Sequence, residues 1–325
     1  MKIGVVGAGA WGTALAQVAA STGEEVPIWA LEPEVVEAIN SRHENPLYLP
    51  GIPLSETISA VAEIGALEGC DALLVVTPAQ HLRGVAARLP TGKALILCAK
   101  GIEDGTGRLM DEVAAEVQPD SPIAVLSGPT FAHEVAAGLP TAVTLAAEDA
   151  ALGERLIARI ACPAFRPYYS NDVAGAEVGG AVKNVLAIAC GVVEGRQLGL
   201  NARSALISRG FAEMTRFGLA KGARAETLAG LAGLGDLVLT CSSTSSRNFS
   251  LGKGIGEGAR AADLLADRLT VAEGAFTAPV LARAAAAIGV EMPIVAAVCA
   301  LLAGEASVDE VVERLLARPL RSEGV

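Results

Sequence analysis

The first half of the chain alternates short apolar runs with helix-like segments. Continuously apolar runs of this kind are typical of strands in a parallel sheet that helices cover on both faces. Pro27 is unexpected within the second run, because an internal strand loses a ladder hydrogen bond at proline, and we expect a local bulge there. The candidate strands are Lys2–Val6, Val26–Trp29, Ala72–Val76, Ala94–Cys98, Ile123–Leu126 and Ala142–Leu145.

The pattern changes near residue 175, where long segments rich in alanine and leucine begin and no strong strand-like alternation returns. The sequence therefore predicts a doubly wound α/β domain over residues 1–176 and an all-α domain over 177–325. We expect a ligand cleft where the carboxyl ends of the strands face the second domain. The candidate helices are Glu177–Val193, Ala202–Gly218, Ala259–Leu264, Ala278–Ile288 and Val308–Ala317.

The junction between the first predicted strand and the first helix carries the motif Gly7-x-Gly9-x-x-Gly12. Gly7 permits a tight turn, Gly9 leaves the backbone open to a pyrophosphate, and Gly12 lets the helix pack closely on the strand. The first amides of the helix would then face the phosphates. Glycine-rich turns are common, but this one opens an alternating chain. It therefore predicts a dinucleotide-binding domain with a Rossmann-type doubly wound parallel sheet.

Composition restricts the class of partner. Of the 325 residues, 52% are hydrophobic and 19% are charged, and the net charge is −11. Such an acidic chain argues against nucleic acid or an anionic membrane surface as a partner. The six cysteines form no C-x-x-C pair, a pattern typical of reduced core thiols without a metal site or a disulfide framework.

Two further observations concern the cellular compartment. Met1 and Lys2 lead straight into the first predicted strand, so we expect no signal peptide. The longest uninterrupted apolar run, near Met292–Gly304, is too short to cross a bilayer. We therefore expect a soluble, cytoplasmic protein without a membrane span. Its oligomeric state stays open, with a homodimer among the alternatives.

Polar loops follow three of the predicted strands, at the edge where a ligand cleft is expected. Residues 77–80 (Thr-Pro-Ala-Gln) are either a proline turn or a ligand contact. Lys100 is either a solvated loop residue or a cation of the site. Residues 127–132 (Ser-Gly-Pro-Thr-Phe-Ala) bring backbone amides and a hydroxyl to the same edge, although Gly-Pro is also ordinary in turns.

One cation interrupts the otherwise apolar helix predicted over Glu177–Val193. Lys183 either extends its ammonium to water along an exposed face or lies in a semi-buried cleft. In a cleft, desolvation would lower its pKa toward neutrality and suit it to general acid–base catalysis. Asp236, within the apolar run 233–239, is either a helix cap or a buried partner of Lys183.

A tract of serine and threonine over residues 240–248 ends in Ser246-Arg247-Asn248. Such a tract is either a flexible loop or a phosphate site, in which hydroxyl, guanidinium and amide groups donate hydrogen bonds. Because the chain is acidic, an anionic substrate needs local cations. Arg247, Lys100 and Lys183 are the ones that we expect.

Eight segments together resemble the bacterial NAD(P)-dependent glycerol-3-phosphate dehydrogenases in order, spacing and identity, over nearly the whole chain. The resemblance implies reduction of dihydroxyacetone phosphate to sn-glycerol 3-phosphate with NADH or NADPH, at the entry to phospholipid synthesis. The segments are GAGAWGTALA, NPLYLPGI, CAKGIE, LSGPTFAHEVAAGLPTA, GGAVKNVLAIACG, NARSALISRGFAEM, LAGLGDLVLTCSSTSSRN and VAEG.

The resemblance also implies roles for the matching positions. Lys183 matches the catalytic proton acceptor and lies at the substrate. Lys100 and Arg247 match residues that contact both substrate and cofactor. The other implied substrate contacts are Gly128, Thr130, Asp236, Ser246 and Asn248. The other implied cofactor contacts are Gly7, Gly9, Ala10, Trp11, Gly12, Leu31, Ala132, Val271 and Glu273. No metal site is implied.

The chain departs from the family pattern at two places. Leu31 stands where the family usually has an Arg or His that meets the 2′-phosphate of NADP, and Glu32 beside it would repel that phosphate. An acid about 20 residues beyond the glycines usually binds the NAD ribose. Members that use NADPH also have an acid nearby, so the sequence leans slightly to NAD and leaves both cofactors open. Phe249-Ser250 replaces the usual Arg-Arg pair, which removes positive potential near the phosphates.

Two alternative functions stay open at this stage. A related β-hydroxy-acid dehydrogenase would combine the same two domains with a substrate that carries a carboxylate in place of a phosphate. A non-catalytic dinucleotide-binding protein would bind the cofactor without turnover. The presence of Lys183 together with Asp236 argues against the second alternative.

Overall fold

The computed structural model describes residues 1–266 and 272–319, which form two compact units. The first unit comprises Met1–Lys100 and Met110–Ala176. The second begins at Glu177 and also includes Gly101–Leu109. The short segment that follows Lys100 therefore belongs to the helical unit, although it lies early in the sequence.

An eight-stranded sheet forms the centre of the first unit, and its strands lie in the order β3-β2-β1-β4-β5-β6-β7-β8. All neighbouring strands are parallel except β6 and β7, so β7 and β8 run opposite to the other six. The predicted Rossmann-type α/β fold is confirmed, with an antiparallel pair that was not predicted. The strands are β1 (Ile3–Val6), β2 (Val26–Trp29), β3 (Ile58–Val61), β4 (Ala72–Val75), β5 (Ala94–Leu97), β6 (Ile123–Ser127), β7 (Thr141–Ala146) and β8 (Phe165–Ser170).

The two strands that the apolar pattern missed lie at the two edges of the sheet. β3 alternates buried and exposed positions. β8 contains Pro167 and exposes Arg166, Tyr168 and Tyr169. Edge strands tolerate proline and polar side chains because one side of the strand has no neighbour. A search for continuous apolar runs therefore detects central strands and overlooks edges.

Pro27 lies in β2 without a bulge. β2 and β3 pair residue for residue, with Pro27 opposite Ser59. The amide of Ala30 donates to Val61 of β3, and the amide of Val26 donates to Thr57 just before β3. Position 27 therefore faces β1, and the pairing of β2 with β1 begins only at Ile28. The prediction of a bulge is wrong, because Pro27 lies beyond the end of the hydrogen-bond ladder between β1 and β2.

Helices connect the strands of the first unit. In α1 the residues Ala14, Leu15, Val18 and Ala19 recur at helical spacing and are buried against the sheet core, as expected for an amphipathic helix. The core is almost entirely aliphatic. The helices of this unit are α1 (Ala10–Ala20), α2 (Pro33–Arg42), α3 (Leu82–Ala86), α4 (Met110–Val117), α5 (Ala132–Ala136) and α6 (Ala150–Ile160).

In the second unit the described residues from Glu177 onward form helices and connecting loops without a strand, Gly101–Leu109 forms no helix, and the five predicted helices all form. The predicted segment Glu177–Val193 extends to Val173–Gly195, which is α7. By length and composition α7 could span a membrane, and its apolar window is entirely buried inside the protein. The longest apolar helix is thus α7 and not the shorter run near Met292. The helices that follow are α8 (Leu200–Ala220), α9 (Ala225–Leu228), α10 (Asp236–Cys241), α11 (Arg247–Gly256), α12 (Ala261–Ala266), α13 (Glu273–Ala287), α14 (Pro293–Ala303) and α15 (Val308–Leu316).

Candidate active site

Close backbone contacts build the turn between β1 and α1. Gly7 has φ +107°, and a Cβ atom there would lie 2.8 Å from the carbonyl oxygen of Val76. A Cβ atom at Gly12 would lie only 1.8 Å from the carbonyl oxygen of Gly7. Gly9 differs, because no described atom beyond Gly9 and its two chain neighbours lies within 4 Å of its Cβ position. The turn is packed against α1 and against the residue that directly follows β4, and it leaves space over Gly9.

α1 begins at Ala10, directly beyond this space. Its N-cap residue is Gly9, which has no capping side chain, and its first turn contains no acidic residue. The first amides of a helix lack intrahelical acceptors, and the positive end of the helix dipole lies there. Trp11 is half-buried in the same turn. These features fit the pyrophosphate of a nicotinamide dinucleotide.

The end of β2 offers an apolar and an acidic side chain. Leu31 is 73% exposed. Glu32 is the N-cap residue of α2, and its Oε1 accepts a hydrogen bond of 2.9 Å from the Tyr48 hydroxyl. Burial, and then the Glu32 carboxylate, raise the pKa of Tyr48, so the hydroxyl keeps its proton and orients the acid.

Lys100 lies at the edge of the sheet where β1, β4, β5 and β6 all end. Its Nζ donates to the carbonyl oxygen of Gly128 at 3.2 Å. The Thr130 hydroxyl donates to the same oxygen at 3.3 Å. The structure therefore brings together three predicted site residues from the loops after β5 and β6. Ala132 begins α5 in the second of these loops.

Lys183 is buried in α7, with 7% of its surface exposed. Its Nζ donates to Asp236 Oδ1 at 2.6 Å and to the Thr240 hydroxyl at 2.9 Å. Asp236 is fully buried, and Thr240 also donates to its Oδ1 at 3.3 Å. Of the two alternatives for Asp236, the structure gives the buried partner of Lys183. Such a pair is stable only because charges and hydrogen bonds compensate for lost hydration.

Close packing of the backbone sets the distance between Lys183 and Asp236. Gly179 lies one turn before Lys183 in α7. A Cβ atom there would lie 2.4 Å from the carbonyl oxygen of Ala232. Ala232 belongs to a π-helical turn, Leu231–Gly235, that leads directly into α10. Because glycine has no side chain, α7 approaches this turn closely enough for a salt bridge between Lys183 and Asp236.

The serine-rich tract ends at the N-terminus of α11. Ser246 is its buried N-cap residue, and its hydroxyl oxygen accepts a hydrogen bond from the amide of Phe249 at 3.2 Å. Arg247 is the first residue of the helix and is exposed. The tract is therefore ordered by a helix cap at its end, next to an exposed guanidinium group.

Asn248 links three helices of the second unit. Its Nδ2 donates to Asn184 Oδ1 at 3.0 Å, and its Oδ1 accepts from the amide of Gly274 at 3.0 Å. Glu273, the first residue of α13, is half-buried beside that amide. Val271 lies outside the described residues.

Two members of these clusters were missed as site residues from the sequence. Thr240 lies four residues after Asp236, which places both side chains on one face of α10, and this spacing is a signal that could have identified it. Asn184 was noted beside Lys183, but its bond to Asn248 joins residues far apart in sequence. No spacing rule could have predicted that bond.

A glycine turn at the head of a Rossmann-type sheet, followed by a helical unit with a buried lysine–carboxylate pair, is the construction of a dehydrogenase that uses a nicotinamide dinucleotide. Two family models narrow this class. The model for the N-terminus of NAD-dependent glycerol-3-phosphate dehydrogenase matches residues 2–153, and the model for its C-terminus matches residues 172–313. The chain belongs to the NAD-dependent glycerol-3-phosphate dehydrogenase family.

Individual relatives agree with this assignment. Glycerol-3-phosphate dehydrogenase [NAD(P)+] of Erythrobacter litoralis is 67% identical over 99% of this chain and 98% of its own length. The protein of the same name from Caulobacter vibrioides is 57% identical over the same shares. The crystal structure of glycerol-3-phosphate dehydrogenase from Coxiella burnetii is 39% identical, with a TM-score of 0.93 over 98% of this chain and 99% of that one. The resemblance stated from the sequence is confirmed.

Proposed function

We propose that this chain catalyses reversible hydride transfer between NAD(P)H and dihydroxyacetone phosphate, giving sn-glycerol 3-phosphate. The observation that carries the proposal is the Lys183 ammonium, which is buried in α7 and held by Asp236 and Thr240. A positioned amine of this kind suits proton transfer at a carbonyl oxygen. The relatives that are 57–67% identical are named for this activity.

Lys183 is the general acid and base of the proposed reaction. In the direction of reduction its Nζ gives a proton to the ketone oxygen of the substrate, and in the reverse direction it takes the hydroxyl proton. Asp236 favours the charged amine and fixes its position. Lys100 stabilises negative charge that develops on the oxygen. When bound, the dinucleotide supplies or accepts the hydride.

The first unit would hold the dinucleotide. The turn from Gly7 to Gly12, with the first amides of α1 at Ala10 and Trp11, would bind the pyrophosphate. The close contacts at Gly7 and Gly12 and the space over Gly9 support this assignment. The other proposed cofactor contacts are Leu31, Lys100, Ala132, Arg247, Val271 and Glu273.

The substrate phosphate would bind at the N-terminus of α11. Arg247 supplies an exposed guanidinium group, and the Ser246 hydroxyl can donate a hydrogen bond while its oxygen caps the helix. The positive end of the helix dipole adds to the attraction. Asn248, whose amide already bonds Asn184 and Gly274, would orient this N-terminus. Gly128 and Thr130 would contact the same substrate.

We further propose that NADH is used at least as well as NADPH, since exposed Leu31 offers the 2′-phosphate no charge and Glu32 beside it is acidic. We also propose a cytoplasmic location. The six cysteines are unpaired thiols, which is typical of reducing compartments. The product, sn-glycerol 3-phosphate, would enter glycerophospholipid synthesis.

An assay of dinucleotide oxidation tests the proposal. The purified enzyme should oxidise NADH with dihydroxyacetone phosphate and show little turnover with 2-keto acids or β-keto acids. A solved structure of D-mandelate dehydrogenase with NADH is 14% identical to this chain, with a TM-score of 0.63. At that identity it shares the fold alone, so it does not favour a carboxylate substrate. Turnover only with such acids, or cofactor binding without turnover, would contradict the proposed function.

A further inference from the structure

The segment NPLYLPGI, residues 45–52, contains none of the substrate or cofactor contacts proposed above. It begins with Asn45, which is fully buried. Burial of an amide side chain is expensive unless hydrogen bonds compensate for it. The partners of Asn45 therefore indicate what the segment does.

Asn45 bonds the glycine turn directly. Its Nδ2 donates to the carbonyl oxygen of Ala8 at 2.8 Å and to the hydroxyl of Thr13 at 2.8 Å. Thr13 is also fully buried, and its hydroxyl donates to the same Ala8 oxygen at 3.2 Å. The Ala8 carbonyl, at the centre of the Gly7-Ala8-Gly9 turn, thus accepts two side-chain hydrogen bonds.

These bonds also determine where the amide of Gly9 points. The Ala8 carbonyl and the Gly9 N–H belong to one peptide unit, and the described peptide bonds are all trans. In a planar trans peptide the C=O and N–H bonds point in opposite directions. With the Ala8 oxygen held by Asn45 and Thr13, the Gly9 N–H points away from them.

The same segment also bonds the end of β2. Asn45 Oδ1 accepts a hydrogen bond from the amide of Tyr48 at 3.2 Å. The Tyr48 hydroxyl in turn donates to Glu32. A short loop thus connects the glycine turn to the acid after β2, the two places where a dinucleotide would meet this unit.

We propose that Asn45 and Thr13 are positioning residues for the dinucleotide, which fix the Ala8–Gly9 peptide so that its N–H faces the pyrophosphate. This inference rests on the proposed function in taking a nicotinamide dinucleotide as the ligand. Neither side chain needs to touch that ligand. Their effect is to keep a donor in place before the phosphates arrive, which lowers the entropy cost of binding.

Asn45→Ala tests the inference against a matched control. Asn40 is also an asparagine that bonds backbone, with Nδ2 donating to Ala60 O at 2.9 Å and Oδ1 accepting from Ala60 N at 2.7 Å, but it joins α2 to β3. Titration calorimetry with NADH should show Kd raised about tenfold for Asn45→Ala. For Asn40→Ala it should stay within about twofold, whatever either variant loses in melting temperature. Equal Kd values for the two variants would overturn the inference.

Thr13 provides a second test that does not depend on Asn45→Ala folding. Thr13→Val removes the hydroxyl and keeps the side-chain shape, whereas Thr13→Ser keeps the hydroxyl. We expect weaker NADH binding for Thr13→Val, restored by Thr13→Ser, with kcat at saturating NADH little changed in both. The same Kd for both variants as for the wild type would refute the positioning role alone. Wild-type protein that binds neither NADH nor NADPH would refute the proposed function as well.

Discussion

Replacing Lys183 and Asp236, singly and together, separates the catalytic role of this pair from its effect on stability. The single changes are Lys183→Met and Asp236→Leu, and the third variant carries both. Methionine has nearly the volume of lysine, and leucine keeps the branched shape of aspartate with two larger methyl groups in place of the carboxylate oxygens. The substitutions therefore remove charge and hydrogen bonds without opening a large cavity.

The size of the effect follows from burial. Lys183 is 7% exposed and Asp236 is 0% exposed, with 2.6 Å between Nζ and Oδ1. Either single change leaves the other charge buried without its main partner, at a cost of about 3–5 kcal/mol in the free energy of unfolding. The double variant leaves neither charge, and replacing a buried pair by apolar side chains is often neutral or stabilising by about 1–4 kcal/mol.

Chemical denaturation and steady-state kinetics provide the two measurements. We expect both single variants to be destabilised, the double variant to be at least as stable as the wild type within about 1 kcal/mol, and all three to lose about 100-fold or more in kcat. NADH should still bind the double variant. A double variant as unstable as the two singles combined would refute the compensation between the charges. Near-normal turnover of Lys183→Met would refute the general-acid role.

Three further predictions concern the phosphates and pH. Arg247→Ala should raise the KM for dihydroxyacetone phosphate about tenfold, because the phosphate loses a charge-assisted donor; an unchanged KM would exclude this contact. Leu31→Arg should shift the kcat/KM ratio about tenfold toward NADPH, and the reasoning fails if the ratio does not move or the wild type already strongly prefers NADPH. Burial raises the pKa of Glu213, in α8, from 4.5 to about 7. The native state therefore holds this proton more tightly than the unfolded chain does, and the free energy of unfolding falls as the pH rises from 4.5 to about 7. Glu213→Gln should remove about 2–3 kcal/mol of that fall between pH 5 and 8 in urea unfolding, whereas Glu305→Gln, at an exposed carboxyl, should leave it unchanged.

The sequence predicted the central sheet because burial on both faces demands continuous apolar runs. β1, β2, β4, β5 and β6 each follow such a run to within one residue at either end. The sequence did not predict the direction of β7, since an apolar strand reads the same whether its neighbour is parallel or antiparallel. Direction depends on how the chain returns to the sheet, which is a property of the connection and not of the strand.

The candidate site was predicted where its chemistry is local in sequence. Lys183 is a single lysine in an apolar helix, and Asp236 is a single charged residue in an apolar run. Both could therefore be identified as candidates. Their pairing could not be established, because it depends on the close approach of Gly179 to Ala232. The role of Asn45 was equally hidden, since its acceptor at Ala8 lies 37 residues away.

The charged groups of the proposed site differ in burial in a way that matches their tasks. Lys183 must meet one oxygen atom in one geometry, and a buried salt bridge provides that rigidity at the cost of desolvation. Arg247 must attract a hydrated dianion to a chain of net charge −11, and an exposed guanidinium at a helix N-terminus does so without being desolvated beforehand. Lys100 is half-buried and bonded to the Gly128 carbonyl, so its burial is intermediate between that of Lys183 and that of Arg247. We therefore expect salt to weaken substrate capture at Arg247 strongly and to change the proton transfer at Lys183 little, because screening acts mainly on exposed charges.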